Sequence, residues 1–167
     1  MRVSLRELQE SLQLTHELYE ALIDLAKQKK DCIVQNQLNE LTLVMAKESR
    51  LLKKMSEAEH ARTQAILAFQ RALGISRGEP LTLTEVARMV TSPEDKTAIE
   101  GWIDRLLEQA AKLRELNDLN QALTRQALDF VELSLDLLTG VPEQAVYQAP
   151  SQTPAPTSRN GLYDFKA

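Results

Sequence analysis

Few residues of this chain could do bond chemistry, and each lacks the company that such chemistry needs. Histidine occurs only at His16 and His60. Glu57-Ala58-Glu59-His60 has the Glu-x-x-His spacing by which di-iron bundles present ligands from one helix face. Such a site needs a second motif and two further carboxylates, and no second copy is present, so His60 reads as an ordinary surface residue and no metal is expected. His16 has Glu17 and Glu20 nearby, which reads as a solvated face rather than a proton relay. The sequence has no glycine-rich phosphate loop and no Gly-x-Ser-x-Gly elbow, so no cofactor is expected and the chain does not read as an enzyme. Cys32, the single cysteine, rules out an internal disulfide framework or a Cys-rich zinc site and reads as an inert, partly buried thiol beside Ile33 and Val34.

Binding by charge fares no better. The formal net charge is −4, which removes the long-range attraction that a polyanion binder uses, so nucleic acid is not an expected partner. Lys47, Arg50, Lys53 and Lys54 are interspersed with Glu48, Glu57 and Glu59, the pattern of a solvated helix face with local ion pairs. Nowhere do about 18 apolar residues run together, and the start Met1-Arg2-Val3-Ser4-Leu5-Arg6-Glu7 is not of signal-peptide type. The expectation is a soluble protein of the reducing cytoplasm with no membrane insertion.

The elements that would position any site are helical. Of 167 residues 43% are hydrophobic, but only 4% are aromatic and only 5 are glycine, a composition that disfavours a sandwich or barrel. Ser4 with Glu7 has capping-box spacing, and Leu5, Leu8, Leu12, Tyr19, Leu22 and Ala26 follow at alternating steps of three and four. Asp31 to Gln37 breaks this stripe, and Asn36 is placed to cap a second helix. That helix carries Leu38, Leu41, Val44, Met45, Leu51, Leu52, Met55, Ala58, Ala65, Ile66, Phe69 and Leu73, stopping at Gly74. Glu48, Glu59 and Arg62 lie close to its apolar seam, which suggests a middle only half covered. A loop follows, then a short helix opened by Thr82 with Glu85, then Ser92-Pro93-Glu94-Asp95 as the start of the longest helix, ending at Gly140.

The fold expected is all-α, an elongated antiparallel bundle of three long helices and one short one with coiled-coil-like packing over residues 1–140. Residues 141–167, with Pro142, Pro150, Pro154 and Pro156 and no apolar periodicity, are expected to form a flexible tail. Tyr147, Tyr163 and Phe165 in it are three of the chain's seven aromatic residues, which suggests a docking peptide.

Within the longest helix, Trp102 reads as a packing residue, with a partner-facing hot spot as the alternative. Asn117 and Asn120 interrupt the apolar stripe, either as seam residues that fix register or bind a partner backbone, or as an exposed pair. From Leu123 to Leu138 the helix has more apolar residues than one stripe needs. If two shorter helices cannot cover Leu128, Leu133 and Leu135, an apolar surface remains for another helix, or for a homodimer that buries the excess.

The sequence resembles the FlgN family of flagellar type III export chaperones. The resemblance lies in Leu18-Tyr19-Glu20-Ala21-Leu22-Ile23-Asp24-Leu25-Ala26-Lys27, the short asparagine-containing turn, and the Leu/Lys/Glu-rich second helix. It is strongest at Leu116-Asn117-Asp118-Leu119-Asn120-Gln121-Ala122-Leu123 through Phe130, at Leu135-Asp136-Leu137-Leu138-Thr139-Gly140, and in the closing Leu162-Tyr163-Asp164-Phe165-Lys166-Ala167. It implies a cytoplasmic chaperone that binds hook-associated, hook–filament junction proteins of the FlgK and FlgL type, prevents their premature assembly and delivers them to the export gate. The expected client site is Leu123, Ala127, Phe130, Val131 and Leu137. Tyr147, Tyr163 and Phe165 are the expected gate-docking residues. The proline-rich stretch after Tyr147 departs from the family's shorter connection. A non-enzymatic coiled-coil adaptor forming a homodimer is the alternative reading.

Overall fold

The computed structural model describes residues 2–140, with side chains from Leu5 onward. The chain forms α1 (Arg2–Val34), α2 (Leu38–Ala72), α3 (Leu83–Met89) and α4 (Pro93–Thr139), and the fold is all-α. Each boundary follows from local chemistry. α1 already runs at Arg2, which puts Ser4 inside the helix rather than at its cap. α1 also continues through Cys32 to Val34, so the thiol is buried in a last turn and not in a loop.

Asn36 closes α1 rather than capping α2. Its φ of 56° is left-handed, its N–H donates to the Ile33 carbonyl at 3.2 Å, and the Gln37 N–H donates to the Cys32 carbonyl at 2.8 Å. This is a Schellman stop with asparagine where glycine is commonest. Gln37, whose side chain makes no capping bond, is the N-cap of α2. Gly74, at φ 70°, closes α2 in the same way: its N–H reaches the Arg71 carbonyl and that of Ile75 the Gln70 carbonyl. The apolar contact that accompanies such a stop is made by Ile75, packed on the core.

The capping box at α3 is complete, with the Thr82 side chain accepting from the Glu85 N–H and Glu85 from the Thr82 N–H. The Thr82 backbone bond, reinforced by Arg77 at 3.0 Å, holds the Glu85 carboxyl below the usual carboxylate range. Ser92 caps α4, Pro93 opens it and Gly140 ends it at φ 57°. Gln70, buried near the end of α2, ties down the intervening loop: its Nε2 donates to the Glu79 carbonyl at 3.1 Å, and its Oε1 accepts from the Leu81 N–H at 3.0 Å.

α1 is the central element. It packs against α2 on one side and α4 on the other, α3 packs on α4, and α2 and α4 form no extensive seam with one another. The chain runs up, down and up, so α4 is parallel to α1. Gln109 donates to the His16 carbonyl 93 positions away, and Asn120 to the Ala26 carbonyl 94 positions away. By that register Val34, the end of α1, lies level with about residue 128 of α4, and roughly eleven further residues, some 17 Å of helix, project past the hairpin.

The main core fills the opposite end, where Leu8, Leu12, Phe69, Val86 and Ile99 are fully buried and Leu81 seals the loop. A small second cluster of Leu25, Cys32 and Val44 holds the hairpin end. Residues 141–167, the tail expected to be flexible, and Tyr147, Tyr163 and Phe165 with them, lie outside the described residues.

Candidate functional site

The residues with catalytic potential are not brought together. His60 and Glu57 are both exposed on α2, and among the described residues no three His, Cys, Asp or Glu side chains form a metal-sized group. His16 lies half-buried in the α1–α4 seam, its ring edge-on to Trp102 at 5.6 Å and its Nε2 3.6 Å from Glu20. Trp102 is a packing residue, with the Arg105 guanidinium over its ring at 5.3 Å.

α4 meets α1 through a heptad seam, with Ile99, Leu106, Leu113 and Asn120 in one position and Trp102, Gln109 and Leu116 in the other. The seam is apolar at its start and is interrupted further on by Gln109 and Asn120. Gln109 Nε2 reaches the His16 carbonyl at 3.4 Å and Asn120 Nδ2 the Ala26 carbonyl at 2.8 Å, while His16 Nδ1, Gln109 Oε1 and Asn120 Oδ1 are buried without a hydrogen bond. Asn120 is therefore the seam residue of the Asn pair, and Asn117 is exposed. Asn120 is also the last buried residue of α4.

Beyond Asn120 the same heptad line continues as Leu123, Ala127, Phe130, Ser134 and Leu137. Four of the five expected site residues thus form the uncovered extension of the surface by which α4 packs on α1, and Val131 stands on the neighbouring line. Leu123 is half-buried, Ala127 is exposed, and Phe130, Val131 and Leu137 are 70%, 51% and 76% exposed. Leu128, Leu133 and Leu135, the residues in excess of one stripe, and Leu138 are all more than half exposed, so this end of α4 is apolar over most of its circumference. Full burial of one such side chain contributes about 1.5–3 kcal/mol, a strong drive for a partner to cover it.

The sequence pattern misses part of the exposed apolar surface. Leu38, Met45 and Leu52 belong to the expected buried stripe of α2 but are 66%, 49% and 54% exposed. The signal was present in Glu48, Glu59 and Arg62, which share a heptad line with Met45 and Leu52. Glu48 pairs with Lys29 of α1 at 2.8 Å and Glu59 with Arg62 at 3.1 Å.

No described helix is long and apolar enough to cross a membrane. The uncharacterized protein YvyG of Bacillus subtilis (strain 168) is 27% identical over 151 residues, covering 90% of this chain and 91% of the relative. No solved structure matches the chain. The family model described as FlgN protein matches residues 1–155, nearly the whole sequence. The chain therefore belongs to the FlgN family, a family of flagellar export chaperones rather than of enzymes.

Proposed function

We propose that this chaperone acts in the cytoplasm on hook–filament junction proteins of the FlgK and FlgL type, covering an apolar helix of the client until the export gate receives it. The observation that carries the reading is the apolar heptad line of α4, which runs on from Leu123 through Phe130 to Leu137 after its last buried residue, Asn120. Axial proteins of this kind polymerise through apolar terminal helices, and a helix laid on Leu123, Ala127, Phe130, Val131 and Leu137 would be withheld from assembly. In this reading residues 1–140 are the binding domain and residues 141–167 a tail whose Tyr147, Tyr163 and Phe165 dock on the gate. Tyrosine suits such a role because it offers large contact area with few rotors to immobilise.

Titration calorimetry with the C-terminal helix peptide of a hook–filament junction protein tests the client site. The parent should bind stoichiometrically, and Phe130→Asp should lose at least tenfold in affinity with an unchanged circular dichroism melt, since the side chain is 70% exposed. A parent that ignores the peptide and sediments as a stable dimer would overturn the proposal in favour of a homodimeric adaptor.

A further inference from the structure

Two lines of side chains face each other across the open side of the bundle. On α2, Leu41, Met45, Leu52 and Met55 fall at heptad spacing, with Glu48, Glu59 and Arg62 completing the line to position 62. On α4, Ile103, Leu107, Ala110, Arg114, Asn117, Gln121 and Thr124 do the same. Each line spans three heptads, about 32 Å of helix. Because α2 and α4 form no extensive seam, neither line covers the other: Met45, Leu52 and Leu107 are 49%, 54% and 65% exposed.

α1 floors this groove. At one end Thr15 and Tyr19 lie beneath Met55 and Ile103 in a cavity of about 250 Å³. At the other, Lys29 and Ile33 lie beneath Met45 and Asn117 in a cavity of about 600 Å³. Between them Leu22 and Ala26 are buried.

Heptad lines on two flanking helices above a third are what the fourth helix of a bundle packs against. An extended strand, with period two, cannot match that spacing over three heptads. The two acids that α2 presents to the groove are already paired, Glu48 with Lys29 and Glu59 with Arg62. Arg114, exposed on the α4 line, has no ion pair among the described residues, so the occupant's buried face needs one countercharge, an acid opposite it. On the outer edge of α2 the positions seven apart are Thr42, Ser49, Ser56 and Thr63, short and uncharged, which allows close approach. The α4 line then continues without a break through Leu128, Val131 and Leu135 onto the projecting end.

The geometry points to the α2–α4 groove as the seat of the client helix: an amphipathic helix of about 21 residues whose heptad stripe is apolar but for one acid opposite Arg114, held by α2 as well as by α4. The inference rests on the client reading above, and it adds α2 residues that the reading does not need.

Calorimetry with the same client peptide separates the two. Met45→Glu and Leu52→Glu should each weaken binding at least tenfold with unchanged melting. Leu43→Glu, on the same helix, 57% exposed and on the face away from the groove, should bind as the parent does. If Met45→Glu and Leu52→Glu bind normally while Phe130→Asp does not, the groove proposal is overturned and the client site on α4 stands. If instead the two α2 variants turn a dimeric parent into a monomer without altering peptide affinity, the occupant is a second copy and the proposal is equally overturned.

Discussion

At the scale of single residues, the α1–α4 seam is marked by polar groups only half satisfied. Asn120 donates one bond to the Ala26 carbonyl and leaves Oδ1 buried without one. A net bond contributes about 1 kcal/mol, whereas a buried unsatisfied acceptor costs about 1–3 kcal/mol. Asn120→Leu is therefore expected to raise the melting temperature by about 2–4 °C in thermal denaturation followed by circular dichroism. A fall would mean that the bond to Ala26 outweighs the orphaned oxygen. Asparagine at such a seam position is accordingly read as a register or partner device rather than a source of stability.

Glu85 supplies a pH-dependent counterpart. Its carboxyl is held below the usual range by the Thr82 N–H and then by Arg77. A carboxylate whose folded pKa is depressed adds stability that is present above its unfolded pKa and lost as pH falls through the folded value. Protection of the α3 amides, taken relative to their intrinsic exchange rates, should fall on acidification through that range, and Glu85→Gln should remove this pH dependence while losing part of the cap at neutral pH.

At the scale of elements, the helix stops decide how the long helices meet. Gly74 holds a φ of 70° that an L side chain adopts at a cost of about 1 kcal/mol, with open space around a would-be Cβ, so strain alone is at issue. Gly74→Ala should lower stability by about that amount in urea denaturation with an unchanged slope. Asn36→Gly, at φ 56°, should hold stability level or raise it slightly. Both stops were legible as breaks in hydrophobic period. Asn36 looked like the cap of the following helix because asparagine serves both roles, and only the backbone dihedral distinguishes them.

At the scale of the whole molecule, α4 is two helices in one. Its first part, to Asn120, is held by α1 and α3, and its last part is solvated almost all round. An isolated stretch of about 20 residues is only marginally helical in water. Hydrogen exchange by mass spectrometry should show slow exchange from Ile99 to Asn120 and fast exchange from Gln121 to Thr139, the latter slowing when client binds. Equal protection along α4 in the free protein would contradict this division.

What the sequence determined by itself is the helical frame and its ends: the 3.6-residue period, the Thr82–Glu85 and Ser92–Pro93 starts, and the Gly74 and Gly140 stops are short-range properties, written in neighbouring residues. The apolar excess from Leu123 to Leu138 was legible too, because no single stripe needs so many leucines. Which stripe each helix buries is set by long-range packing instead. Met45 and Leu52 have the spacing of core residues, yet they face an open groove because α1 stands between α2 and α4 and takes one face of each. Asn117 and Asn120 are chemically alike and three positions apart, yet only Asn120 meets α1. Such choices depend on the register of parallel helices about 94 residues apart in sequence, and no local pattern encodes that register.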